Sequence, residues 1–226
     1  MVRPHRFRRP GACVSEIFRE IDEELRRENL LKLWSRYGKY IVAAVVAIVL
    51  VIGGIMAWRD HQADARRAQG GRFTSALAMA RQGKEADAAK LFGALAQEGG
   101  GYSVAGAFEQ AELLTKAGDR KAAIAVYEKL AGSNGVDPEF RELAVLLSVM
   151  QSMPEADPKS AIERLQPLTA NGNPWRASAL DLTAAAKLKA GDRTGALEIY
   201  QKLADDLAAP QGLRARAAEM AAALKS

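Results

Sequence analysis

From about residue 70 onward, apolar positions return every three or four residues in stretches of roughly twelve to sixteen, the spacing of one helix face. Gly, Asp-Pro and Asn-Pro interrupt these stretches, so the pattern predicts a succession of short amphipathic helices. No alternating apolar and polar run is bounded by Asn-Gly or Asp-Gly turns, which argues against hairpins. The expected class is all-α.

The helices repeat. Residues 116–131, KAGDRKAAIAVYEKLA, and 189–204, KAGDRTGALEIYQKLA, are identical at ten of sixteen positions. Two weaker copies are RQGKEADAAKLFGALA at 81–96 and PEADPKSAIERLQPLT at 154–169. A small residue holds the eighth position of each window (Ala88, Ala123, Ala161, Ala196), at spacings of 35, 38 and 35. Four residues later stands a large one (Phe92, Tyr127, Leu165, Tyr200), and three further on a Leu (Leu95, Leu130, Leu168, Leu203). The small residue lets two helices approach, and the large one fills the space beside it on the same face. Gly83, Gly118 and Gly191 mark turns where a helix stops without Cβ strain. The third window has Ala156 there, followed by Asp157-Pro158. Another amphipathic helix precedes each window. Asp137-Pro138 and Asn173-Pro174 are expected to start two of these, as cap and first-turn proline. A helix–turn–helix unit with a period near 35 is the signature of a solenoid of about four degenerate pairs.

Ahead of the repeats runs YIVAAVVAIVLVIGGIMAW, Tyr40 to Trp58, nineteen residues without charge. As a helix it measures about 28 Å at 1.5 Å per residue, near the ~30 Å of a bilayer's hydrocarbon. Tyr40 and Trp58 stand at its ends, where aromatic rings prefer the headgroup level. The 39 residues before it are too long and too acidic for the n-region of a cleaved signal, so an uncleaved anchor is expected. Lys and Arg number five against four within twenty residues of its two ends, and five further Arg residues before it tip the balance to N-terminus inside. The expected organisation is a cytoplasmic tail and juxtamembrane helix at 1–39, a transmembrane helix at 40–58, and an exported repeat domain at 59–226.

Charge and cysteine usage fit this division. Residues 1–58 carry ten Lys/Arg against six Asp/Glu, and residues 59–226 carry 22 against 21. The long part is nearly neutral and poor in aromatics, so nucleic acid is not an expected partner. The single thiol, Cys13, precedes the apolar run, leaving the exported part none to mispair. Residues 1–13 form a basic arm without period. Ser15 is expected to cap a helix whose Ile17, Phe18, Ile21 and Leu25 make a narrow apolar stripe. That stripe either docks on a partner, lies on the membrane, or edges a solvated helix.

The repeat pattern resembles the tetratricopeptide repeat: the turn Gly, the small residue five later, the aromatic four after that, and Pro138, Pro174 and Pro210 trailing some units. Leu130 and Leu203 stand where that repeat usually has Ala, and the third unit lacks both Gly and aromatic. Over residues 14–226 the layout is similar to the ancillary subunit family of the bacterial SecYEG translocon: the acidic helix SEIFREIDEELRRENL, one anchor, then degenerate repeats. That resemblance implies an inner-membrane protein with a periplasmic repeat domain, associated with the translocon and a membrane-anchored periplasmic chaperone.

The inventory for chemistry is thin. His5 and His61 precede the repeats, and no His or Cys pair has metal-ligand spacing. No P-loop, nucleotide fingerprint or nucleophile elbow occurs. Gly99-Gly100-Gly101 reads as a linker, and Asp205-Asp206 as solvated surface. No catalytic residue, cofactor, metal or small-molecule substrate is expected; binding is. A solenoid lines its concave face with the first helix of each pair. Extending the register puts Phe73, Leu77, Phe108 and Glu112 there from the first two units, and Leu146, Met150, Asp181 and Lys189 from the last two. Few charges among apolar residues suit an extended peptide or a partner helix. An envelope scaffold at the translocon, an assembly factor for another envelope machine (cell division or outer-membrane biogenesis) and a membrane-tethered holdase all fit this face.

Overall fold

The computed structural model describes the backbone of residues 12–225 and the side chains of Trp34 and residues 36–225. The basic arm before residue 12, and the side chains of Cys13 and of the Ile17, Phe18, Ile21 and Leu25 stripe, lie outside the described residues. Among those described are nine α-helices and one short 3-10 turn, without strands.

Helix α1 runs unbroken from Ala12 to Arg81. Ser15 therefore lies inside it and does not cap it. A boundary between two compact units falls within α1, after Ala63. In the first unit an 18-residue window reaches a mean hydropathy of 2.8 with none of it buried. Large apolar side chains from Ile41 to Met56 are all exposed. The helix is thus long and apolar enough to cross a membrane.

The second unit holds the repeats. Its first helices are the end of α1, α3 (Ser103–Lys116), α5 (Pro138–Ser152) and α7 (Arg176–Lys189). Its second helices are α2 (Glu85–Glu98), α4 (Arg120–Ala131), α6 (Pro158–Leu165) and α8 (Arg193–Asp205). A ninth helix, α9 (Gln211–Lys225), packs on α8.

Three turns share one construction. Gly83, Gly118 and Gly191 have φ of 80°, 82° and 84°, the left-handed region that Gly enters without cost. The next N–H of each reaches back across the turn: Lys84 to the Met79 carbonyl at 3.0 Å, Asp119 to Leu114 at 2.9 Å, Asp192 to Lys187 at 2.8 Å. These are Schellman closures, which satisfy carbonyls a helix end would otherwise leave open. Asp119 and Asp192 then cap the following helices, accepting from Ala122 N at 3.1 Å and Gly195 N at 2.8 Å.

The third unit reaches the same path differently. Asp157 accepts from Ser160 N at 3.1 Å, and Pro158 supplies the first turn. The turn carbonyls of Met153, Pro154 and Ala156 receive Lys189 Nζ at 2.8, 2.9 and 2.8 Å. A cation borrowed from α7 thus does what a left-handed Gly does elsewhere. Helix α6 is short because Pro167 lacks an N–H, and the chain tightens into a 3-10 turn over Gln166–Thr169 that keeps Leu168 buried.

Two other starts differ from expectation. Helix α5 begins at Pro138 after Asp137, but the Asp137 side chain makes no cap bond. Helix α7 begins at Arg176, two residues past Pro174. Asn173 Oδ1 accepts from Trp175 N at 2.8 Å, so that dipeptide forms a local turn before the helix.

Each unit has its own core. The four small positions, the four large ones and the four trailing Leu residues are all buried. Twelve residues before each small position stand Ala76, Ala111, Val149 and Ala184, each at most 1% exposed. Every one shares a core cluster with its own unit's small and large residue. Leucine at Ala123 would have to displace Ala111 or Tyr127, and overpacking typically costs ~1–3 kcal/mol. Denaturant unfolding of Ala123→Leu and Ala196→Leu should show losses of that order. Lys121→Leu, at an exposed site, should leave the midpoint nearly unchanged.

Candidate protein-binding groove

The eight residues expected on the inner face divide into three groups. Phe73, Phe108, Leu146 and Asp181 occupy one register position, nineteen residues before the large residue of their own unit. They face that residue. Phe73 meets Phe92 edge-on with ring centroids 5.2 Å apart, and Phe108 meets Tyr127 at 6.1 Å. Leu146 shares a cluster with Leu165 and is buried, so it offers a partner almost no surface.

Asp181 is likewise buried, and what it touches is internal. Its Oδ2 lies 3.4 Å from Arg216 Nη1 on α9, while its Oδ1 has no hydrogen-bond partner. Burial pushes its carboxyl above the ordinary value, with Arg216 opposing. Burial, and then the charge of Asp181, push the Tyr200 hydroxyl up as well. Lys189 is spent on the third turn, as described above. Leu77 packs half-buried on the first unit's core.

Glu112 and Met150 remain, four residues beyond Phe108 and Leu146, and both are exposed. They meet in a groove of about 260 Å³ between the neighbouring first helices α3 and α5. Phe108, Tyr127, Leu147 and Met150 give it an apolar lining; Glu109, Glu112, Thr115 and Gln151 complete it. Glu112 pairs with Lys116 one turn on, at 2.6 Å. Desolvation and then the charge of Glu112 push the Tyr127 hydroxyl above its ordinary value. The lining's own ionisable charge is negative. Such a groove can take an apolar side chain with a cationic neighbour. Among the described residues no cluster of three His, Cys, Asp or Glu could hold a metal.

Of this lining, Phe108, Glu112 and Met150 were expected on the binding face, whereas Glu109, Thr115, Leu147 and Gln151 escaped the sequence reading. The readable signal was their place beside Phe108, Glu112 and Met150 on the same turns of α3 and α5. Asp206 also differs from expectation: it pairs with Arg176 at 2.5 Å, which with the Ala208 N–H holds its carboxyl below the ordinary value.

The family model that matches is the tetratricopeptide repeat-like domain, over residues 32–221. The chain belongs to that family, whose repeats serve as protein-interaction scaffolds. Among solved structures it is similar to kinesin light chain TPR-like repeats from Podosopora anserina, at 15% identity and a TM-score of 0.51. A point variant of the same repeats gives 15% and 0.53; each alignment covers 68% of this chain and 83% of the other. At that identity the likeness is one of fold. No curated protein matches the chain.

Asp181 yields a pH prediction. Its proton is held more tightly in the folded state, so native stability falls as pH rises from the unfolded carboxylate range through the native value. Asp181→Asn removes the buried charge and sacrifices only a pair with a largely exposed Arg216, a class worth ~0–1 kcal/mol. Thermal melts between about pH 4 and pH 7 should show the variant gaining on the parent as pH rises. A constant deficit across that range would refute the assignment.

Proposed function

We propose that the protein is a non-enzymatic, single-pass scaffold of the bacterial inner membrane whose periplasmic repeats gather the Sec translocon and periplasmic chaperones around secreted or envelope proteins. The observation that carries the scaffold reading is the inner groove between α3 and α5, apolar in its lining and acidic at Glu109 and Glu112. An extended segment or helix with a hydrophobic anchor beside Lys or Arg would fill it and leave no charge unpaired. The fully exposed apolar stretch of α1 supports membrane anchoring, because water does not tolerate a surface of that extent on a monomer. The Lys/Arg excess before it supports a cytoplasmic N-terminus. The association with the translocon rests on the layout of acidic helix, anchor and degenerate repeats. A tether raises a partner's effective concentration to roughly millimolar, so the small groove suffices for weak, repeated contacts.

Met150, 43% exposed in that groove, also favours a second reading: a tethered holdase that accepts varied apolar segments on a flexible thioether. Photo-crosslinking in cells from positions 115 and 151 of the full chain, which line the groove beside Glu112 and Met150, separates the two. The scaffold predicts discrete adducts with translocon and chaperone, lost on Glu112→Lys with Phe108→Ala while the repeats still fold. Adducts only with unfolded secretory chains would replace it with the holdase. A stable adduct with another envelope machine would replace it with an assembly factor. Protease added to spheroplasts should digest residues 70–226; protection of the repeats would overturn the topology.

A further inference from the structure

A larger groove lies on another face of α3. Its volume is about 690 Å³, with α2 and α4 as walls and the start of α3 between them. It exists because the residues facing it are small: Gly93 and Ala96 on α2, Ala107 on α3, Ala125 on α4. The Gln110 side chain crosses Gly93 closely: a Cβ there would lie 2.7 Å from Gln110 Nε2, so a larger residue would push that amide aside. The size is within the ~300–1,000 Å³ of pockets that hold ligands.

Its polar groups restrict what fits. Lys129 is the one charged residue in the lining, and no carboxylate among the described residues lies within ion-pair distance of it. The Gln110 amide, laid across Gly93 and half-buried, has no hydrogen-bond partner among the described residues. An acyl chain would cover that amide without pairing it, at the cost of leaving a polar group unsatisfied. A peptide backbone offers a donor and an acceptor at every residue. Lys129 stands in the last turn of α4, and the lining continues on both sides of it, to Ala125 one turn earlier and to Ser133 past the helix end. A segment that follows the groove across Lys129 meets it between its ends.

We propose that this outer groove is a second binding site, taking an extended segment of a partner protein with small apolar side chains and one internal Asp or Glu. It is separate from the inner groove and opposite in charge, so one scaffold holds two segments of different chemistry at once.

The test uses the full chain in lipid nanodiscs and a fluorescein-labelled, end-blocked octapeptide, Ser-Ala-Val-Glu-Ala-Val-Ser-Gly, read by anisotropy. The Glu peptide should bind at least about ten-fold more tightly than its Gln and Lys counterparts, the scale of one charge-assisted contact. Lys129→Glu should reverse the order in favour of the Lys peptide, a change that loss of folding cannot produce. Ala125→Trp, which fills the groove from an exposed position, should abolish binding of all three. Glu112→Lys, in the inner groove, should leave the Glu peptide's affinity unchanged; an effect there would assign binding to the other site and overturn the proposal. So would equal affinities, no binding at millimolar peptide, a preference for the Gln peptide with a free C-terminal carboxylate, or displacement by palmitate. Failure here leaves the inner-groove reading standing, because that reading is tested by crosslinking from positions 115 and 151.

Discussion

The fold depends on one close contact, made four times: a small side chain on a second helix set against another small side chain on its first. Ala88 and Ala76, Ala123 and Ala111, Ala161 and Val149, Ala196 and Ala184 share their respective cores. With so little between the axes, the large residue one turn on (Phe92, Tyr127, Leu165, Tyr200) is forced beside the contact and buried. The same clusters admit residues of the next first helix: Leu113, Ala144, Ala179, then Ala217 and Ala221 of α9. Each pair is incomplete alone and completed by its successor, which is the logic of a solenoid. Helix α9 supplies that successor's face to the fourth pair.

The third unit shows how far the local sequence can drift while the contact is kept. It has no turn Gly and no aromatic, and its second helix gives way to a 3-10 turn. Lys189 holds its turn from α7, and Glu128 of α4, Ser148 of α5 and Arg164 of α6 form one hydrogen-bonded group across the unit boundary. The buried Ser148 hydroxyl is satisfied in that group. Glu128 and Arg164 lie on successive second helices, so the unit with the weakest turn is tied by side chains to both of its neighbours. Degeneracy in the repeat is thus compensated between units.

What could be read from sequence was what the close contact dictates. The register of Ala123 and Ala196 follows from a period that any packing of the pairs must respect, and the Gly turns follow from a φ that other residues avoid. The inner face was only half legible. Extending the register chose a position whose side chain points at its own second helix, so Phe73 and Phe108 became ring contacts and Asp181 a buried carboxylate. Glu112 and Met150, chosen by the same extension one turn later on α3 and α5, are exposed. A first helix packed against its partner on one side and the next unit on another keeps a narrow free stripe, and a shift of four residues decides core or surface. Lys189 was illegible for a different reason: its three carbonyls lie more than thirty residues away in the chain.

The outer groove follows from the same economy of small residues. Gly93 and Ala96 are small where α3 crosses α2, but Ala125 is small at an exposed position of α4 that lines the groove. Leaving that side unfilled forgoes burial of roughly 25 cal/mol for each Å² of apolar surface that larger side chains would have covered. The Gln110 amide, held over Gly93, is left facing the groove with no protein partner among the described residues. A lattice selected for packing alone would fill the gap, as the three neighbouring cores are filled by Phe92, Tyr127 and Leu165. A gap that persists with one unpaired cation and one unpaired amide in its wall is shaped like the surface of something else.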